Sequence, residues 1–192
     1  MVHNISIEER STVYPVLEDT LLLADSINVR KGDRVLEVGC GTGYVSIRAA
    51  LMGGKVVGVD INPDAVRLSR ENASLNGIDW IDFHESDMFE NVDGLFDVIM
   101  FNPPYLPSEE FQSGDYDACW DGGKGGRGVS DRFIDGLDGH LGQGGVVYLL
   151  QSTLCDPELS IRRLGGIGLE AKIVGSKKLF FEELVVIMAK KS

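Results

Sequence analysis

Residues 34–46 read Arg34-Val35-Leu36-Glu37-Val38-Gly39-Cys40-Gly41-Thr42-Gly43-Tyr44-Val45-Ser46. The first five form a short, mostly apolar run of the kind that becomes a buried strand. Three glycines at alternate positions follow, marking a sharp turn before the helix that the spacing predicts over 44–52. Glycine lets the backbone take positive φ and lets a ligand approach without a Cβ in the way. The nicotinamide fingerprint G-x-G-x-x-G needs glycine at 44, where Tyr44 stands, so the turn suits a cofactor without pyrophosphate. A tight turn with no ligand is the plainer alternative, but three spaced glycines exceed what it needs.

Outward from this turn, helical and β-rich segments alternate. Apolar residues on helical spacing span 16–27 and stop at Gly32-Asp33. A second strand is expected at 56–59, a third at 80–84 and a fourth at 96–101, ended by prolines that a central strand cannot hold. Between the second and third, Asn62 is a good N-cap, Pro63 stands at the first helical position, and Gly77 is the stop. Further on, helices are expected at 129–137 and 157–164 and a strand at 146–151, with 171–174 and 184–189 forming a terminal hairpin. Such alternation predicts an α/β fold with a mainly parallel sheet. Residues 102–128 hold six glycines and three prolines with no clear period. A loop of that length in a compact domain is usually functional, and it is read as an active-site rim.

The chain has 192 residues, 43% of them hydrophobic and 25% charged, the size and balance of one globular domain. With 18 basic against 30 acidic residues its net charge is −12, which would repel a phosphate backbone and disfavours nucleic acid as a partner. Cys40, Cys119 and Cys155 make no C-x-x-C pair, so reduced cytosolic thiols are expected rather than a disulfide framework or zinc site. His3, His84 and His140 lack ligand spacing and imply no metal. The N-terminus has no signal pattern, and no apolar run reaches the ~18 residues of a membrane span, so a cytoplasmic protein is expected.

Asp60 closes the second strand, 17 residues after Gly43, where α/β nucleotide folds place an acid to receive both ribose hydroxyls. A helix-capping or solvated acid would look the same in isolation. Asp87, just past the third strand, could accept from an adenine amine or be a plain loop carboxylate. Asn102-Pro103-Pro104-Tyr105 directly follows an apolar strand. Proline fixes φ and extends the residue before it, so the Asn102 side-chain oxygen and the Pro103 carbonyl are held rigidly enough to accept the two N–H bonds of an –NH2 group. Tyr105 could stack under a planar amide or base.

These residues carry a resemblance. Residues 35–46, 57–62, Asp87 and Asn102-Pro103-Pro104-Tyr105 resemble the S-adenosylmethionine-dependent methyltransferases with a seven-stranded sheet, in the branch that methylates planar amino groups. Tyr14-Pro15 with Glu18-Asp19-Thr20, and Trp120-Asp121-Gly122-Gly123 with Gly126-Arg127, are similar to the archaeal and eukaryotic HemK-like glutamine methyltransferases of class I peptide release factors. The likeness spans residues 12–190. It implies one Rossmann-like domain over 1–192, with a mostly parallel seven-stranded sheet and an antiparallel C-terminal hairpin strand. Within it, 1–33 would be a helical lead-in, 34–101 the cofactor-binding half, 102–128 the rim and 129–192 the C-terminal half. Bacterial members carry an N-terminal helical domain, whereas fewer than 35 residues precede the first strand here.

The resemblance further implies S-adenosylmethionine as cofactor. Asp60, with Ile61 beside it, would hold the ribose, and Asp87 the adenine amine. Glu37 and the turn of Gly39, Gly41 and Gly43 would hold the methionine end, Glu18 or Asp19 would help close the pocket, and Asn102 would meet both cofactor and target. Cys40 would be inert packing. Trp120, Lys124 and Arg127 would meet a protein substrate or be solvated loop. The implied reaction is methylation of a glutamine amide, in the Gly-Gly-Gln loop of a release factor. Its rivals are adenine or guanine amines of RNA or DNA, a protein lysine, and a cofactor-binding scaffold without activity. Relatives use a small zinc-ribbon activator, expected to dock on the edge strand Trp80-Ile81-Asp82-Phe83 and the helix face at 67–76. Alternatively Trp80 and Phe83 turn inward as core.

Overall fold

A computed structural model describes residues 4–105 and 126–191. Its elements are α1 (Glu18–Ser26), β1 (Arg34–Val38), α2 (Tyr44–Leu51), β2 (Lys55–Asp60), α3 (Pro63–Leu75), β3 (Asp82–Glu85), β4 (Phe96–Phe101), α4 (Gly128–Gly136), β5 (Leu141–Ser152), α5 (Pro157–Gly166), β6 (Leu169–Lys178) and β7 (Glu183–Lys191). The strands form one seven-stranded sheet in the order β3-β2-β1-β4-β5-β7-β6. The first five pair in parallel, and β7 runs antiparallel to both β5 and β6. This is the expected doubly wound sheet with its C-terminal hairpin.

Helices cover both faces, so the central strands are apolar on both sides. Along β4 the period of two sorts the side chains: Val98 and Met100 join the core under α1 and α2 with Leu23, Val45 and Ile47. Ile99 and Phe101 join the core under α4 and α5 with Phe133, Ile134 and Leu164. The start of α3 follows the sequence signal, since Asn62 accepts from the Asp64 N–H at 2.9 Å and Pro63 opens the helix.

Several boundaries differ from the expectation, each for a visible reason. β5 begins at Leu141 rather than 146: Phe96 pairs with Leu141 and Val98 with Val146, so the residues between are absorbed as a bulge that Gly144, at φ 71°, makes possible. The third strand starts at Asp82. Phe83 packs inward against Gly58, where a Cβ would lie 2.5 Å from its ring, whereas Trp80 is 64% exposed. Phe180 and Phe181 stand 91% and 87% exposed at the β6–β7 turn. Most of the expected rim at 102–128 lies outside the described residues, and Trp120 and Lys124 with it.

Candidate active site

The sheet order reverses between β1 and β4, and open α/β sheets bind ligands at that point, beyond the carboxyl ends of the strands. A cleft of about 560 Å³ lies there. Its wall includes Tyr14, Asp19, Glu37, Gly39, Gly41, Asp60, Ile61, Asp87, Asn102, Pro103 and Tyr105. Residues 84 positions apart in sequence, Asp19 and Pro103, thus share one wall. Glu18 is exposed and does not line the cleft, so only Asp19 of that pair is placed to close it.

The turn after β1 takes positive φ at Gly39, Gly41 and Gly43. Gly43 also passes tightly over α3, where a Cβ would sit 2.9 Å from that of Ser69, while Gly41 leaves the cleft side open. Asp60 holds this turn from β2: one carboxylate oxygen accepts the Gly41 N–H and the other the Asn62 N–H, both at 2.9 Å. Each oxygen keeps a free lone pair for a hydroxyl. Burial raises the Asp60 pKa, and these backbone bonds offset the rise only in part.

Glu37, 3% exposed, accepts the Ser46 hydroxyl at 2.5 Å. Burial lifts its carboxyl to about 8, the Ser46 contacts pull down, and the nearby Asp60 pushes further up. Cys40, packed against Ser69, has its thiol pKa raised well above normal by burial, as inert packing requires.

Asp19, 2% exposed, gathers two phenols: Tyr14 donates to one of its oxygens at 2.6 Å and Tyr105 to the same oxygen at 3.4 Å. Burial first and the Asp19 charge second raise both phenol pKa values, so both stay neutral donors. Tyr14 reaches this corner because residues 4–14 lie along α3. Asn72 exchanges hydrogen bonds with the Glu8 backbone at 2.8 and 3.0 Å, and Asn62 donates to the Thr12 carbonyl at 2.8 Å.

At the other corner the Asn102 side-chain oxygen is buried and has no hydrogen-bond partner among the described residues. Leaving such an oxygen unpaired costs ~1–3 kcal/mol. The Tyr105 carbonyl behind it receives the Cys155 thiol, with sulfur 2.9 Å away. Asp87 is engaged by Arg132 of α4 at 2.9 Å, a residue that nothing near Asp87 in the sequence signals. Arg127 is not a free rim cation. Its guanidinium binds the Cys155 and Asp156 carbonyls, Asp131 and Ser160, and so ties the start of α4 to α5. Among the described residues no His, Cys, Asp and Glu cluster could hold a metal.

The sheet order, with its antiparallel β7, and the glycine turn after β1 are those of the Rossmann-like methyltransferase fold. The family described as Methyltransferase small domain matches residues 16–115. A Methanocaldococcus jannaschii protein described as a protein N5-glutamine methyltransferase is 47% identical over 98% of this chain and 96% of its own length. Human Methyltransferase HEMK2 is 32% identical over 95% of this chain and 91% of its own length. Among solved structures, the E. cuniculi Mtq2-Trm112 complex, responsible for methylation of the eRF1 termination factor, superposes with a TM-score of 0.77 at 27% identity, covering 94% of this chain and 99% of that one. The chain belongs to the methyltransferase small-domain family, in its HemK-like archaeal and eukaryotic branch.

Proposed function

We propose that the protein methylates the side-chain amide of a glutamine, in the Gly-Gly-Gln loop of a class I release factor, using S-adenosylmethionine. The observation that carries this reading is the buried Asn102 side-chain oxygen, without a hydrogen-bond partner among the described residues, beside Pro103. An amide nitrogen is a poor nucleophile because its lone pair is delocalised into the carbonyl. The Asn102 oxygen and Pro103 carbonyl would each accept one amide N–H, turning the nitrogen lone pair toward the methyl group and stabilising charge as it develops. S-adenosylmethionine supplies a methyl on a sulfonium, whose carbon–sulfur bonding pair leaves with sulfur as the new nitrogen–carbon bond forms. The amide proton is then lost to water. Tyr105, held by Asp19, would flank the amide plane.

Asp60 would receive the ribose hydroxyls, Ile61 would pack beside them, and Asp87 would receive the adenine amine. Glu37 would meet the methionine ammonium over the glycine turn, with Asp19 closing the end of the cleft. A net charge of −12 argues against a nucleic-acid acceptor. We read residues 1–192 as one methyltransferase domain. Cytoplasmic residence fits two free, buried cysteines, Cys40 and Cys155, and among the described residues no helix is long and apolar enough to cross a membrane.

The E. cuniculi enzyme in the comparison is a complex with a second subunit. By extension a zinc-ribbon activator would dock here on the β3 edge and the adjoining α3 face, covering Trp80 and Leu75, both exposed. Ile81 and Phe83 are core residues, so Trp80→Asp is the variant that tests docking, read as loss of co-elution on size exclusion. Mass spectrometry of a release factor incubated with enzyme, activator and labelled cofactor tests the reaction. A label on the Gly-Gly-Gln glutamine supports it, and a label on lysine alone, or on RNA alone, refutes it.

A further inference from the structure

The β6–β7 hairpin is the clearest feature that this reading leaves without a role. β7 runs antiparallel to β5, so Leu184 and Val185 pair with Ser152 and Gln151 at the carboxyl end of β5. The hairpin turn therefore projects beyond the same sheet edge as Asn102. A short covalent and hydrogen-bonded path joins the two: the Tyr105 carbonyl receives the Cys155 thiol, and Thr153 receives the Glu183 N–H at 3.0 Å. The Glu182 charge is close enough to raise the Tyr105 pKa.

At the tip, Phe180 and Phe181 stand 91% and 87% exposed, edge to face with centroids 4.7 Å apart. Leu154 is exposed nearby, at the end of β5. Lys177 and Lys178 precede the pair and Glu182 and Glu183 follow it, with Lys178 opposite Glu183 across the hairpin, so the charges beside the tip balance and its distinguishing feature is apolar. Two adjacent uncovered phenylalanines, with Leu154 also exposed, mark an interaction site rather than ordinary surface. The β3 edge lies at the far end of the sheet, so a subunit docked there leaves this tip bare.

We propose that the β6–β7 hairpin tip is the docking surface for the folded protein that carries the acceptor glutamine, seating an apolar patch next to that glutamine. The inference rests on the reading above. It adds how the acceptor is chosen: a glutamine side chain alone offers little to recognise, and the aromatic pair at the mouth supplies the anchor. Phe180 and Phe181 touch the acceptor's surface without touching the reacting atoms, so they set KM and leave chemistry alone.

The test compares wild type and Phe180→Ser/Phe181→Ser, each with activator, on two acceptors: an intact class I release factor and a short peptide containing its Gly-Gly-Gln sequence. The expected result is a KM for the intact factor raised about 10- to 100-fold in the phenylalanine variant. Peptide turnover and cofactor affinity should be unchanged in that variant. An unchanged KM for the intact factor overturns the proposal, as does an equal rise for the peptide. A wild-type dimer that the phenylalanine variant dissolves overturns it in favour of a second copy of this chain. Wild-type activity on both acceptors with no variant effect removes only the docking surface. Wild-type inactivity on both removes the glutamine reading, and docking with it.

Discussion

Glu37→Gln should stabilise the cofactor-free protein while weakening cofactor binding. The folded carboxyl titrates at about 8 because burial outweighs the Ser46 contacts, against 4.5 for the exposed group. Between those values the folded protein holds a proton that the unfolded chain has released. Stability therefore falls as pH rises through that window, by at most ~1.4 kcal/mol per pH unit and by roughly 5 kcal/mol once the upper value is passed. Glutamine keeps a carbonyl oxygen for the Ser46 hydroxyl and has no charge to desolvate, so it escapes this loss. Urea midpoints measured from pH 5 to 9 should diverge upward in favour of the variant, and coincide below about pH 4.5. A ligand ammonium reverses the argument, since it makes the carboxylate the favoured form. At pH 7 about nine in ten empty sites carry the proton, so cofactor binding should release close to one. Calorimetry in two buffers of different ionisation enthalpy reads that release directly. The variant loses a charge-assisted bond of ~1.5–3 kcal/mol, or about 10- to 150-fold in affinity. Parallel pH curves for the two proteins, or equal heats in both buffers, would refute the assignment.

Asp60→Ala should weaken cofactor binding by ~1.5–3 kcal/mol for each of two ribose hydrogen bonds; unchanged affinity by titration calorimetry in the folded variant would discard the ribose role. Asn102→Ala should cut turnover about 10²–10³-fold with cofactor affinity nearly intact, and normal turnover would sink the acceptor mechanism. Asp19→Asn should lower kcat more than it lowers cofactor affinity, because it loosens the grip on Tyr14 and Tyr105; a loss confined to cofactor binding would make Asp19 a cofactor ligand only.

What the sequence disclosed and what it hid divide along physical lines. The Asn62-Pro63 cap and the prolines after Phe101 act on their own backbone, so they fix α3 and the end of β4 wherever the rest of the chain goes. Glu37, Asp60 and Asn102 sit at or just past the carboxyl ends of strands, where the topology of a parallel sheet converges; alternation predicted that sheet, and the family resemblance grouped the three as one site. The hidden features all depend on partners far along the chain. Asp19 is shared between Tyr14 and Tyr105, Arg132 reaches Asp87 from α4, and Arg127 spends its donors on α5. The glycines at 142, 144 and 145 read as a break before a strand, yet pairing with β4 carries that strand through them as a bulge. Trp80 and Phe83 are three apart, so the period of two sends them to opposite sides, and Gly58 leaves the room that Phe83 fills.

The two faces assigned here to partners lie at opposite ends of the sheet, and that separation has a kinetic consequence. β3 leads within two residues to Asp87, so an activator covering Trp80 would steady the loop proposed to face adenine and should act on cofactor affinity. The hairpin of β6 and β7 borders Tyr105 and should act on acceptor KM. Five strand spacings of ~4.8 Å put roughly 25 Å between them, well past the range over which substitutions normally couple. In a double-mutant cycle, Trp80→Asp should shift cofactor affinity, Phe180→Ser/Phe181→Ser should shift acceptor KM, and the combined protein should show the product of the two effects to within about twofold. A larger coupling would mean that the activator reaches the acceptor as well as the enzyme, and the two surfaces would then have to be redrawn as one.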